Sequence, residues 1–458
     1  MPTEKSDIRK LDEKFGYHQD TNFSIKLSIN DVDVPASSVV NIVLREWVLD
    51  LLPRLEIMLS CNGRFIDQFP LQDNDKIKIE LSHFIFEESP IKAQFKLQDY
   101  EIVNSAPGKS QQALIKLTAL MDSTFLTYPI HNRSFSNANS KEVFESIYNE
   151  SKVGSEQLGL RKFESRIDPK DEMSWLQINQ NNLQFIKHVL DRSYVNNNDV
   201  PFLFTNRSGT MVHTSLRTEL KKKQQEVPRM IYNIEASMLN SKNYSKEDLE
   251  ELLEEEKENE GANQLFFYNW KYKNFSGCKN KTNSYGRRFS YYDLTDSLSQ
   301  EITTDNHELS IHSLKEKDSI GKITRQDDYG ILDVNNVHPN FMLAQTQNEY
   351  LKENFFSSYF LAYTRPSNNL HLFDRVNVEV DSLLPIGSLR DEVHSGQYIV
   401  GGIIHQASKD SIYSSVVILF RNGLDIKGLL KDFESRHSSE PSDKAKLSDP
   451  LSVLRNLL

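Results

Sequence analysis

The feature that most limits what this 458-residue chain can fold into is a run of short alternating segments separated by turn residues. Phe23, Ile25, Leu27 and Ile29 alternate with Ser24, Lys26 and Ser28, the period of two of a strand with one buried face. Asn30-Asp31-Val32-Asp33 then reads as a turn. Similar segments follow at Ile57 to Leu59, Phe65 to Phe69, Ile77 to Leu81, Ile91 to Leu97 and Leu114 to Leu120. They are divided by Asn62-Gly63, Asp73-Asn74-Asp75, Ser89-Pro90 and Pro107-Gly108. Short strands with turn chemistry between them predict a sandwich or barrel. Val43 to Leu52 reads either as a strand or as a helical turn.

Near Asn137 the period changes. Ser140 is placed to cap a helix whose apolar face is Val143, Phe144, Ile147 and Tyr148, with Gly154 ending the run. A second helix has Asn181 or Asn182 as cap and Leu183, Phe185, Ile186, Val189 and Leu190 as its stripe. Pro201 to Phe204 and Met211 to Thr214 read as strands about the turn Asn206-Arg207-Ser208-Gly209, completing a small α/β unit. Ser245 to Gly261 carries nine carboxylates between Glu247 and Glu260 and reads as a solvated helix on an insertion rather than a cation or partner patch. Lys271 to Tyr292 interleaves basic and aromatic residues, a pattern that can bind single strands, but it is short and sits in an acidic chain. A tyrosine-rich loop or hairpin packed on its own domain is the favoured reading. Glu301 to Asp333 is weakly patterned and reads as an insertion or mobile loop, and Asn348 to Tyr363 as a helix. Val376, Val378 and Val380 alternate as a strand, Asp381 to Gln397 is a polar loop, and Tyr398 to Gln406 with Ile412 to Phe420 is the strongest hairpin signal in the chain.

Composition narrows the function classes. The net charge of −11 lacks the basic footprint of a nucleic-acid binder. Two cysteines, Cys61 and Cys278, make neither a disulfide framework nor a four-thiolate zinc site, which points to a reducing compartment. Met1 to Asp20 has no apolar signal core, and the most apolar stretch, Ser411 to Phe420, is half of the ~20 residues a spanning helix needs. No phosphate-cradling glycine loop, nucleophile elbow or helical zinc motif occurs. His188 lies on a helix without a helically spaced partner, and His405 lies mid-strand, so both read as structural. No catalytic, cofactor or metal residue is assigned. Acidic residues are too many for one pair to stand out, and glycoside hydrolysis needs only two.

The order of these elements resembles the baseplate hub protein of contractile-tailed bacteriophages, a family that shares its fold with the late control protein of other phages and the hub part of type VI secretion spikes. The resemblance rests on Phe23 to Asn30 through Leu71-Gln72-Asp73-Asn74-Asp75-Lys76-Ile77-Lys78-Ile79, on Trp175 to Ile186, and on Leu372-Phe373-Asp374-Arg375-Val376-Asn377-Val378 with Tyr398 to Gln406. It implies an α+β, β-rich chain with two similar antiparallel β-barrel domains and inserted α/β units. The expected division is an N-terminal arm (1–19), a first barrel (20–124), an α/β domain (125–221), a second barrel split between 222–275 and 361–425 with the acidic insertion 245–261, a peripheral domain (276–360) and a tail (426–458).

The resemblance further implies a virion protein of the tail baseplate, assembled in the host cytoplasm. It would be a non-enzymatic homotrimer whose barrels form a pseudo-sixfold ring joining the sixfold tail tube to a threefold central spike. Its partners would be the spike, tube or tube-initiator proteins and other baseplate proteins, with DNA passing through without specific binding, no cofactor and no membrane insertion. A tail-associated hydrolase of cell wall or polysaccharide is the alternative. A carbohydrate-binding adhesin is a third reading, with Tyr285, Phe289, Tyr291 and Tyr292 as its platform. At the end of the chain, Leu451, Val453, Leu454, Leu457 and Leu458 form an apolar tip behind a polar segment and are candidates for docking on a partner.

Overall fold

The computed structural model describes residues 23–62, 70–83, 90–103, 112–121, 124–150, 160–197, 199–222, 227–232, 264–274, 287–293, 298–304, 326–332, 337–356, 358–364, 369–380, 391, 394–408 and 411–421. The expected strand at Phe65 to Phe69, the acidic segment 245–261 and the tip from Leu451 to Leu458 lie outside these residues.

The first region is built from β1 (Phe23–Ile29), β2 (Val32–Val34), β3 (Val39–Trp47), β4 (Arg54–Asn62), β5 (Lys76–His83), β6 (Ile91–Val103) and β7 (Gln112–Met121). Of the ambiguous stretch Val43 to Leu52, Val43 to Trp47 is strand, with Ile42, Leu44 and Glu46 alternating into the interior, and Val48 to Leu52 is turn and bend. The ladder runs β3-β4-β7-β6-β5-β1-β2, antiparallel throughout. No ladder between β1 and β3 closes it among the described residues.

The α/β region follows, with α1 (Thr124–Thr127), β8 (Ile130–Ala138), α2 (Ser140–Glu150), β9 (Lys162–Ser165), β10 (Met173–Asn181), α3 (Asn182–Arg192), β11 (Pro201–Thr205), β12 (Thr210–Ser215) and α4 (Leu216–Lys221). Asn181 caps α3 in a reciprocal box with Gln184. The cap of α2 is Asn139 rather than Ser140: Glu142 N–H donates to Asn139 Oδ1 (3.0 Å) and Asn139 N–H donates to Glu142 Oε2 (2.9 Å). Ser140 is buried one residue inside, its hydroxyl against that of Ser193 (2.8 Å) and its N–H donating to Asp171.

The last region holds β13 (Arg229–Tyr232), β14 (Gln264–Asn274), β15 (Arg287–Asp293), β16 (Leu298–Thr304), β17 (Gln326–Leu332), α5 (Phe341–Phe355), β18 (Ser358–Thr364), β19 (Arg375–Glu379), β20 (Gly396–Ser408) and β21 (Ser411–Arg421). Two expectations change here. Part of Glu301 to Asp333 is strand, since β16 and β17 both pair with β15. The helix expected at Asn348 to Tyr363 starts earlier and stops at Phe355. Ser358–Thr364 alternates strictly between buried and half-buried, so its aromatic and apolar residues join a sheet between β14 and β21. Strands β13, β14, β18, β21, β20 and β19 close into a six-stranded barrel; its ladders are antiparallel except the two made by β13. Among the described residues no helix is long and apolar enough to cross a membrane.

The ladders of the first and last regions repeat. The order β3-β4-β7-β6-β5 recurs as β14-β18-β21-β20-β19, all antiparallel. The registers coincide down to their bulges. Asn41↔Met58 and Val39↔Leu59 flank a bulge in β3, as Asn269↔Tyr363 and Phe267↔Thr364 do in β14. The β6 bulge between Leu97 and Asp99 matches the β20 bulge between Val400 and Gly402. The turn before the fifth strand matches as well. Asn74 (φ 70°) and Phe373 (φ 69°) are both left-handed. Their N–H groups donate to Leu97 and Val400 carbonyls, whose own N–H groups return to Asp75 and Asp374. The carboxylates of those aspartates accept from Gln72 N–H and His371 N–H, each at 2.8 Å. Bulges are specific insertions in a ladder, so two at matched positions mark one motif used twice. The sixth strand departs from the repeat: β1 is antiparallel to β5, whereas β13 is parallel to β19.

Candidate functional site

The two repeats meet along one strand pair. Strand β20 lies antiparallel to β3, from Gly402↔Trp47 to Ser408↔Asn41, so a single 13-stranded ladder runs through both. Gly402 permits this approach. A Cβ there would sit 2.5 Å from the Trp47 ring, and one at Gly401 would sit 2.2 Å from Phe420. Trp47 packs edge-on against Phe420 at 5.5 Å.

A charged cluster is buried in this seam. Glu46 of β3 and His405 of β20 occupy positions on otherwise apolar inward stripes, Ile42-Leu44-Glu46-Val48 and Ile403-His405-Ala407. Both are buried, at 2% and 0% exposure. The β11–β12 turn of the α/β region brings the cation: Arg207 lies beside Glu46 Oε2 at 3.6 Å, beside His405 Nε2 at 3.2 Å, and donates to the Leu370 carbonyl at 2.9 Å. Arg207 has only donors, so Nε2 accepts and the ring proton sits on Nδ1. Nδ1 faces the Ser415 hydroxyl (3.1 Å) and the Tyr413 hydroxyl (3.3 Å). Burial, reinforced by the Arg207 cation, holds the His405 pKa well below the ordinary imidazole value. Burial raises that of Glu46, opposed by Arg207. Desolvating both charges of such a pair offsets most of their attraction, but removing one partner leaves the other stranded. Three parts of the chain, β3, β20 and the β11–β12 turn, therefore share one buried contact.

The second repeat also reaches the α/β region through its strained turn. The Phe373 ring is buried against Phe202 and Phe204, at 5.2 and 5.5 Å. Elsewhere in the α/β region, Ile130, Leu176 and Ile178 are exposed on the two-stranded β8–β10 sheet.

Among the described residues no group of three His, Cys, Asp or Glu side chains is placed to hold a metal ion. The Cys61 thiol is buried, which pushes its pKa up to about 11 and away from nucleophilic use. His188 packs beside Phe185 and is held at about 4 by burial. The docking candidates Leu451, Val453, Leu454, Leu457 and Leu458 lie outside the described residues. Sequence reading placed His405 correctly in a closing strand but missed Glu46 and Arg207. A carboxylate interrupting an apolar stripe was the available signal for Glu46. Arg207 had none, because a turn arginine reads as solvated.

No family model matches the sequence, and no curated protein matches it. Solved structures do resemble it. The tail protein from Neisseria meningitidis MC58 matches with a TM-score of 0.50 at 8% identity, over 88% of this chain and 98% of its own. A prophage tail protein from Shewanella oneidensis gives 0.49 at 8% identity, over 87% and 98%. An Escherichia coli component of the type VI secretion system gives 0.41 at 9% identity, over 87% and 77%. At such identities what is shared is architecture: the chain has the fold of the Neisseria tail protein, in keeping with the phage-tail resemblance of its motifs.

Proposed function

We propose that this chain is the structural hub of a phage tail baseplate. Three copies form a ring of six similar units that joins a sixfold tail tube to a threefold spike, nucleates tube assembly and leaves a channel for DNA. The observation that carries this reading is the in-register repeat of five strands. One chain with two equivalent units presents a near-sixfold face when three copies assemble, and keeps true threefold symmetry wherever the units differ. The six-strand closure, the single seam and the α/β region riveted beside it by Arg207 suit a load-bearing ring element.

On this reading the units correspond to residues 20–124 and to 222–275 with 361–425, and residues 125–221 and 276–360 decorate the ring. The acidic balance fits a channel that does not hold phosphate, since lysine and arginine would retain it by counterion release. The protein works in the virion by contact with the spike, tube and neighbouring baseplate proteins, without catalysis.

Light scattering of the purified chain, alone and with its spike partner, tests the proposal. A trimer is the expected species. A monomer under every condition, or clearing of a cell-wall substrate in a zymogram, overturns it.

A further inference from the structure

The repeat turns the seam inside the chain into a template for the seam between chains. In the second repeat, β20 pairs with β19 only as far as Ile399, and its edge from Gly402 onward is covered by β3. In the first repeat the equivalent strand, β6, pairs with β5 only as far as Lys96. The stretch equivalent to Gly402–Gln406 is Asp99–Val103. There Tyr100 and Ile102 are 42% and 49% exposed, while their counterparts Ile403 and His405 are fully buried. The complementary edge lies on β14, the counterpart of β3, where among the described residues the ladder to β13 runs no further than Phe267. The same stretch of β14, Trp270 to Lys273, lines a cleft of about 480 Å³ together with Tyr359, Leu361 and His394.

We infer that β6 of one copy pairs antiparallel with β14 of the next copy, repeating the β20–β3 seam. The inference rests on the ring reading above and specifies the surface that makes the ring. Carrying the in-chain register across places Tyr100 opposite Asn274, Glu101 opposite Lys273, Ile102 opposite Tyr272 and Val103 opposite Lys271 of the neighbouring copy. The chemistry agrees with that register. Acidic Asp99 and Glu101 approach basic Lys271 and Lys273, and the exposed Ile102 meets the half-buried Tyr272. Opposite charges and apolar pairs facing each other across strands are both favourable. Each copy offers one donor edge and one acceptor edge, a head-to-tail contact that closes as a ring or continues as a filament according to the rotation between copies.

A charge swap in the full-length protein tests the pairing. Glu101→Lys and Lys273→Glu, each alone, should weaken trimer association at least about tenfold at low salt, and the double variant should recover to within about threefold of wild type. As a second measurement, Glu101→Cys and Lys273→Cys are placed on separate chains in a Cys278→Ser background. Oxidising the mixture should link unlike chains, and oxidising either variant alone should not. A wild-type trimer that ignores the charge swap and gives no cross-link overturns this seam while leaving the ring standing. A wild-type chain that stays monomeric, alone and with its spike partner, removes the ring reading itself.

Discussion

In the first repeat, β6 beyond Lys96 ends in exposed Tyr100 and Ile102; in the second, the same length of β20 is covered by β3 and the counterparts Ile403 and His405 are buried. The turn before the fifth strand differs in the same sense. Asn74 holds the left-handed conformation at low cost, because asparagine tolerates that region, while Phe373 is forced into it by a ring wedged among Phe202 and Phe204. One ladder thus serves two purposes. The second copy is specialised for contacts within the chain, through Gly402, His405 and Phe373, and the first keeps the corresponding positions, Asp99, Ile102 and Asn74, polar or exposed for contacts elsewhere.

The comparison breaks most visibly at the rivet. Arg207→Met should destabilise the chain by about 3–5 kcal/mol in urea unfolding, because Glu46 is left buried without its cation. Pairing it with Glu46→Leu should return most of the loss, since an apolar pair carries no desolvation cost. A double variant no more stable than the single would mean that Arg207 acts through Leu370 and His405 instead.

Phe373→Ala should cost about 3 kcal/mol through the lost burial of the ring, with the left-handed backbone strain retained because alanine keeps the Cβ, while Asn74→Ala should cost about 1 kcal/mol. Equal costs at the two turns would erase the difference drawn between the repeats.

Acid should separate the repeats as well. His405 titrates below the ordinary value because it is buried, so the unfolded chain binds a proton there before the folded one does. Stability from this group is complete above about pH 6.5 and falls as pH drops below it, by about 2 kcal/mol at pH 5 for a fully buried histidine. Glu46, raised by burial, runs the other way and offsets part of this fall. Hydrogen exchange at pH 5 should therefore show β20 and β21 losing protection before β4 and β7, and His405→Gln should flatten that difference.

The smallest contrast is steric. Gly402→Ala drives a Cβ to 2.5 Å from the Trp47 ring and should cost about 1–2 kcal/mol in thermal unfolding, whereas Asp99→Ala at the matching position should be within about 0.5 kcal/mol. A tolerated Gly402→Ala would show that the seam is looser than the β20–β3 ladder implies.

Much of this architecture was legible beforehand. Alternation at Phe23 to Ile29 and Ile77 to Leu81, and the hairpin of Tyr398 to Gln406 with Ile412 to Phe420, marked strands because burial of one face imposes a period of two. The box at Asn181 and Gln184 marked a helix start because its hydrogen bonds span only three residues. Ser358 to Tyr363 fits a helix by pattern yet is strand, since aromatic residues at short spacing satisfy either period until a neighbouring strand selects one.

The sequence by itself determined most of the strands and helices, those of Phe23 to Ile29 and Asn182 to Arg192 among them, and that the chain is β-rich, because local backbone preference and one-sided burial are written within a few residues. Only the tertiary structure decided that two ladders share one register, that Glu46 and His405 meet Arg207 in the seam, and that β20 is covered where β6 is open. Those facts depend on which residues far apart in the chain become neighbours, and the low-dielectric contact that makes a buried carboxylate tolerable exists only once its arginine has arrived.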